Sequence, residues 1–247
     1  MDPTVAALIL VSNDEYYLPY VLESIAGVFE RAVIYNVGSE DGTRDIIDWW
    51  VDKERSRTEC LVKHLPMCPP GVQVCFRNSM IAEARTDTYW ILDGDEVLRH
   101  DQALMVPKMA VRLRAFNTGN PRKRYGVVRR MEVATDLKYV YKEIRTHHRL
   151  YMRDAIWLGT HPGERAFYKQ NSKSEVDFQD DLVVLHMHNA LRSSKENVAL
   201  KRTVRKSQRS YHPGKLIPYD LLEAYPILRK QIEDWPMDPA LEELQNV

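Results

Sequence analysis

Asp93 and Asp95 flank Gly94, are followed at once by Glu96, and stand directly behind the apolar run Tyr89-Trp90-Ile91-Leu92. A buried strand that ends in three carboxylates presents them at the carboxyl edge of its sheet, where two Asp one residue apart share one hard divalent cation. Mg²⁺ or Mn²⁺ held by one or two carboxylates keeps its other positions for water and phosphate oxygens, which suits a diphosphate ligand. An ion so placed neutralises charge growing on a departing phosphate. An EF-hand is excluded, because Val97 is not an oxygen ligand and the Gly and Glu that should follow are missing. The chain has no P-loop and no Gly-x-Gly-x-x-Gly fingerprint, so diphosphate binding must rely on metal rather than a Gly-rich cradle.

Cys60, His64, Cys68 and Cys75 form a second cluster of possible ligands. Their spacing lacks the tight Cys-x2-4-Cys hook of structural zinc, so free thiols are expected there.

The elements that must position these groups are legible as alternating strands and helices. Val5 to Val11 reads as a buried strand that ends at Ser12-Asn13-Asp14-Glu15. Leu18, Val21, Leu22, Ile25, Val28 and Phe29 mark one stripe of a helix. Ala32 to Tyr35 reads as a second strand ending at Asn36-Val37-Gly38-Ser39-Glu40-Asp41-Gly42-Thr43, followed by a helix with Ile46, Ile47, Trp50 and Val51. A third strand is expected within Glu59 to Leu65, a helix within Arg77 to Ala84, and a fourth strand at Tyr89 to Leu92. This alternation implies a mainly parallel sheet covered by helices on both faces, with the site in loops at the carboxyl ends of the strands. Beyond Glu96 the spacing predicts a helix over 101–116 broken or kinked at Pro107, and strands at Tyr125–Val133, Arg149–Met152 and Leu182–His188. Ser193 and Glu196 have the spacing of a capping box, which predicts a basic helix. The Pro-containing tail is expected to pack as short helices and turns.

The order Ser12-Asn13-Asp14-Glu15, Asn36 to Thr43, Arg77-Asn78 and Asp93-Gly94-Asp95 resembles the family 2 glycosyltransferases, enzymes of the GT-A fold that use nucleotide-diphosphate sugars. The resemblance implies an α/β, Rossmann-like GT-A fold with a mainly parallel central sheet flanked by helices and a helical C-terminal tail. It places Ser12, Asn13 and Glu15 of the first loop, and Asn36 and Asp41 of the second, at the nucleoside. Arg77 is placed at the donor, and Asp93 and Asp95 at metal and diphosphate. The family usually has Asp where this chain has Asn36, which hydrogen-bonds a uracil or ribose without charge. Mn²⁺ or Mg²⁺ and a nucleotide-diphosphate sugar, with a UDP-sugar favoured, are the implied cofactors.

The second half carries weaker parts of the resemblance. The segment from His148 to Arg153, then Trp157-Leu158-Gly159-Thr160-His161, looks like an acceptor-side strand and turn, with two residues inserted before Glu164. Leu185-His186-Met187-His188 followed by Lys201-Arg202 is similar to a strand-terminal His before a basic helix, and implies His186, or else His188, at the metal or the diphosphate. Inverting transfer needs a base for the acceptor hydroxyl, for which Glu164 and Asp181, with Asp180, are candidates. Arg145, Arg149, Lys201 and Arg202 are candidate diphosphate partners.

The chain has 247 residues, 35 Lys plus Arg against 35 Asp plus Glu, and 44% hydrophobic residues, which excludes a disordered or strongly polyanion-seeking chain. One GT-A catalytic domain over 1–190 is expected, with a nucleotide-sugar half at 1–100, an acceptor-side half at 101–190, and a helical extension at 191–247. Met1-Asp2-Pro3 lacks the basic and apolar regions of a secretory leader, and no run approaches the roughly 18 apolar residues of a membrane span, so a cytoplasmic protein is expected. Neutrality is a cancellation. No Asp or Glu lies between Lys108 and Arg130, and only Glu196 interrupts the basic stretch Arg192 to Lys215. A metal-dependent glycosyltransferase is the leading reading. The alternatives are a nucleic-acid-binding protein using residues 108–130 and 192–215, or a glycosyltransferase acting on an anionic polymer such as modified DNA. Nucleotidyl transfer on a similar sheet would want a Gly-rich loop after the first strand, and residues 12–17 contain no Gly.

Overall fold

Strand β1 (Val5–Val11) is covered on both faces, as an uninterrupted apolar run requires. Its odd-numbered residues Val5, Ala7, Ile9 and Val11 share a core with Leu22 and Ile25 of α1 (Leu18–Ile25) and Ile46 and Trp50 of α2 (Thr43–Glu54). The even-numbered Ala6 and Leu8 pack with Val74, Met80 and Ile81 of α3 (Gln73–Ala84). Strands β2 (Arg31–Val37) and β4 (Thr88–Asp93) flank β1, and β3 (Glu59–Leu65) lies outside β2. All four are parallel, so the loops leaving β1, β2 and β4 emerge at one edge. The computed structural model describes residues 5–54, 56–99, 101–119, 123–133, 139–159, 165–167, 174–178, 182–187, 193 and 216–218.

The second half continues with β5 (Glu96–Leu98), α4 (Met105–Gly119), β6 (Lys123–Val133), β7 (Tyr139–Met152), β8 (Ile156–Leu158), β9 (Arg165–Phe167), β10 (Ser174–Asp177), β11 (Val183–His186) and β12 (Leu216–Pro218). The main sheet is mixed and mostly parallel, ordered β3-β2-β1-β4-β7-β6-β11-β5, with β10 on β6 and β12 on β7. Strands β8 and β9 form a separate antiparallel pair. Only Gly94 and Asp95 join β4 to β5, yet β7, β6 and β11 lie between them in the sheet. A flat sheet would hold β4 and β5 roughly 19 Å apart at about 4.8 Å per strand. The sheet therefore curls until its far edge returns to the end of β4.

Several expected boundaries move. Helix α1 stops at Ile25, and Gly27 at φ +67° turns the chain away from the helix, although Phe29 beyond it is still buried. Helix α3 starts at Gln73, after a 3-10 turn at Pro70–Val72, so Arg77 and Asn78 lie inside it rather than opening it. Pro107 neither breaks nor kinks α4. The helix begins only at Met105, which puts the proline in the first turn, where no intrahelical N–H bond is lost. The helical tail expected over 191–247 and the capping box at Ser193 and Glu196 lie outside the described residues, apart from Ser193 and β12. Among the described residues no helix is long and apolar enough to cross a membrane.

Candidate functional site

The loops after β1 and β2 are laced together at the carboxyl edge. Asn13, at φ +53° in the left-handed region that Asn tolerates, donates its N–H to Ser39 Oγ at 2.9 Å, and its Oδ1 accepts from Glu40 N–H at 2.8 Å. Asp14 N–H donates to Thr43 Oγ1 at 2.9 Å, and Glu15 Oε2 accepts from Gly42 N–H at 2.8 Å. Asp41 Oδ1 accepts from Thr43 N–H at 3.0 Å, satisfying the start of α2, while Asp41 Oδ2 accepts from Glu15 N–H at 3.4 Å. Ser12, at the crest, is exposed and donates its N–H to Asp14 Oδ2 at 3.0 Å.

Asn36 is buried with both ends of its amide engaged. Ser39 Oγ donates to its Oδ1, and its Nδ2 lies 3.2 Å from His64 Nδ1. His64 Nε2 lies 3.1 Å from Asp48 Oδ1. A carboxylate only accepts, so the His64 proton sits on Nε2, and Nδ1 takes the Asn36 amide hydrogen. Cys60, Cys68 and Cys75 are free thiols, and burial, ahead of the nearby Glu54 and Glu59, pushes the Cys60 thiol up to about 11.

Asp93 closes β4 between two guanidinium groups. Arg77 Nη2 donates to Oδ1 at 3.1 Å, and Arg149 Nη2, from β7, donates to Oδ2 at 2.9 Å and also to Glu96 Oε1. Burial alone would raise the Asp93 carboxyl, but Arg149 and Arg77 outweigh it and hold it well below the usual carboxylate range. The side chain still keeps 35% of its surface, enough to meet a ligand. Glu96 has no exposed surface, and burial, with Asp93 adding repulsion, raises its carboxyl against the pull of Arg149. His147 is pushed down to about 2 by burial and by the charges of Arg149 and Arg130. It is therefore neutral, with Nδ1 accepting from Arg130 Nη1 at 3.0 Å.

Gly94 is required by close approach. A Cβ there would stand 2.6 Å from Asp14 Cγ and 3.0 Å from Val11 Cγ1, so the first loop packs directly on the Asp-Gly-Asp turn. Beyond the turn, Asp95 is buried and its carbonyl accepts from Met187 N–H at 2.8 Å. Its Oδ2 lies 3.6 Å from His186 Nε2, at the end of β11. Two ligands of one Mg²⁺, each about 2.1 Å from it, stand at most about 4.2 Å apart, so this carboxylate oxygen and imidazole nitrogen are within reach of a shared Mg²⁺ or Mn²⁺ that would take its other ligands from water and diphosphate. Among the described residues no three His, Cys, Asp or Glu side chains gather into a larger metal-binding group.

The second wall comes from β8. Asn78 acts as a strand edge for it: Nδ2 donates to the Trp157 carbonyl at 2.9 Å and Oδ1 accepts from Trp157 N–H at 2.8 Å. The Trp157 ring then faces the Arg77 guanidinium at 5.2 Å and donates its Nε1–H to Tyr89 Oη at 3.2 Å.

The fold thus gathers Ser12, Asn13, Glu15, Asn36, Asp41, Arg77, Asp93, Asp95, Arg149 and His186 along one edge. Arg145 lies in β7 opposite Arg130. His161, Glu164, Asp180, Asp181, His188, Lys201 and Arg202 lie outside the described residues. Sequence reasoning assigned no role to Glu96, His147 or Asn78. Glu96 was marked only by following the Asp-x-Asp, Asn78 only by following Arg77, and nothing in the sequence marked His147.

No family model and no curated protein sequence matches the chain. Solved structures do resemble it. S. aureus TarS 1-349 aligns over 98% of this chain and 69% of its own, with a TM-score of 0.51 at 13% identity. The same fragment in complex with UDP-GlcNAc aligns over 98% and 70%, with a TM-score of 0.50 at 15% identity. A longer S. aureus TarS structure aligns over 93% of this chain at 13% identity and a TM-score of 0.50, and there the chain spans 43% of the TarS length. At such identities the likeness carries the fold alone. Together with the curled, mostly parallel sheet and its flanking helices, it makes this a GT-A type, Rossmann-like α/β fold.

Proposed function

We propose that the chain is a glycosyltransferase that moves a sugar from a nucleotide-diphosphate sugar to an acceptor hydroxyl. One observation carries the reading: Asp95 and His186 meet 3.6 Å apart beside an Asp93 clamped by two arginines, at the carboxyl ends of parallel strands. The TarS fragment of like fold is known in complex with UDP-GlcNAc. The proposed donor half is 1–100, the acceptor-side half 101–190 and the extension 191–247.

In this reading the laced loops bearing Ser12, Asn13, Glu15, Asn36 and Asp41 seat the nucleoside, a UDP-sugar being favoured. Asp95 and His186, with Asp93 beside them, would hold Mn²⁺ or Mg²⁺ against the diphosphate. The bound ion supplies positive charge next to the leaving diphosphate. Arg77 and Arg149 orient Asp93, and Lys201 and Arg202 meet the diphosphate. The acceptor oxygen forms its bond to the anomeric carbon in line with the bond that breaks, whose electron pair leaves with the diphosphate, and the anomeric centre inverts. The hydroxyl proton passes to Glu164 or Asp181.

A panel of nucleotide sugars with and without Mn²⁺ tests the reading by thermal shift, because a ligand of the native state raises its stability. A UDP-sugar is expected to stabilise the protein only with the metal, and Asp95→Ala to abolish that effect. If no nucleotide sugar stabilises the protein, or if Asp95→Ala responds undiminished, the reading is wrong.

A further inference from the structure

His147 of β7 pairs with Val128 of β6, and Arg130, two residues further along β6, reaches its ring: Nη1 lies 3.0 Å from His147 Nδ1. A guanidinium donates and never accepts, so Nδ1 carries a lone pair and the single ring proton is left on Nε2. An imidazolium, with hydrogen on both nitrogens, could not take this bond. Nε2 has no partner among the described residues and is not sealed from solvent. The ring also lies at the reacting edge. Strands β4 and β7 run antiparallel with Trp90 opposite Leu150, and three residues beyond that pair they reach Asp93 and His147. The charges of Asp93, Arg149 and His186 accordingly all act on the ring.

The guanidinium groups nearest the Asp-Gly-Asp turn are already committed, Arg77 to Asp93 and Arg149 to Asp93 and Glu96. A diphosphate arriving beside Asp93 and Asp95 meets carboxylates and needs donors. We propose that His147 is a further diphosphate-binding residue, donating its Nε2–H to an oxygen of the leaving diphosphate while Arg130 polarises the ring from behind. The proposal rests on the glycosyltransferase reading. A bond accepted from a cation at one ring nitrogen strengthens the donor at the other, so the pair passes on part of a positive charge without placing an ion in the site. Fixed between two strands, the donor is in place before charge develops on the leaving group. As the bond from the anomeric carbon to the diphosphate oxygen breaks, its electron pair leaves with that oxygen, and the Nε2–H bond stays intact. The same tautomer excludes His147 as base for the acceptor hydroxyl, because its one ring lone pair is taken.

Titration of the full chain with UDP and with GDP, each with Mn²⁺, tests it without an acceptor. His147→Phe is expected to weaken the tighter of the two by about tenfold or more, as loss of a hydrogen bond to a charged group does. His147→Gln should recover much of that loss, because an amide accepts from Arg130 at one atom and donates onward from the other. The loss should fall on the diphosphate alone, so uridine or guanosine at millimolar concentration should bind parent and His147→Phe alike. A His147→Phe protein that binds the diphosphates as the parent does overturns the proposal and leaves the glycosyltransferase reading standing. So does a loss that falls equally on the nucleoside, which would make the ring a support of the fold. A parent that binds neither diphosphate and no nucleotide sugar sinks the underlying reading, and this proposal with it.

Discussion

Arg149 is the residue on which the site's charge balance turns. Its guanidinium is shared by Asp93 and by Glu96, which has no access to water. Removing one partner of a buried pair leaves the others charged and unsatisfied, typically at about 3–5 kcal/mol. Arg149→Met is therefore expected to lower unfolding free energy by about 3 kcal/mol at neutral pH in urea titration, and Arg149→Lys to recover only part of it, because an ammonium cannot present the same fork to two acids. Gly94→Ala should cost about 1–3 kcal/mol in the same titration, since its Cβ drives into Asp14 and Val11. The two readings differ in how visible they were. Asp93 and Asp95 announce themselves by spacing, whereas Arg149 reaches Asp93 across a sequence separation of 56, and no local pattern encodes that.

Among the elements, the first four strands and the helices between them were legible because apolar runs of strand length alternate with helical stripes. Strands β5, β8 and β9 were not. Each has three residues, too few to show a period; β5 is held by β11 far along the chain, while β8 and β9 pair with one another. For β8 the partner includes a side chain, Asn78, that stands in for a strand by accepting from and donating to Trp157. Asn78→Ala leaves a buried tryptophan N–H and C=O without it, and a cost of about 1–3 kcal/mol is expected. Asn78→Asp keeps the acceptor and loses the donor, so it should fall between. A red shift of tryptophan emission as Trp157 loosens would report β8; an unshifted spectrum at unchanged stability would show that β8 is held by other contacts.

At the scale of the whole molecule, stability should depend on pH through groups that burial has displaced in opposite directions. His147 is held near 2 when folded but protonates near 6.5 in an unfolded chain. Its contribution is therefore complete above about 6.5 and is lost as pH falls toward 2, the unfolded state taking the proton first. Asp93, held low by its arginines, adds to the loss below the ordinary carboxylate range, while Glu96, held high, opposes it. The urea midpoint is expected to drop between pH 7 and 5, and His147→Gln to flatten that drop. None of this was legible in a neutral composition of 35 basic and 35 acidic residues, because displacement comes from burial and neighbours rather than from counts. The curl of the sheet carries a kinetic consequence as well. Glu96–Leu98 cannot find its ladder until Val183–His186 has been added beyond β7 and β6, and closing loops of that length is slow. The Asp-Gly-Asp turn is thus made from early sequence and completed by late sequence, and the contact of Asp95 with His186 is expected to form late in folding.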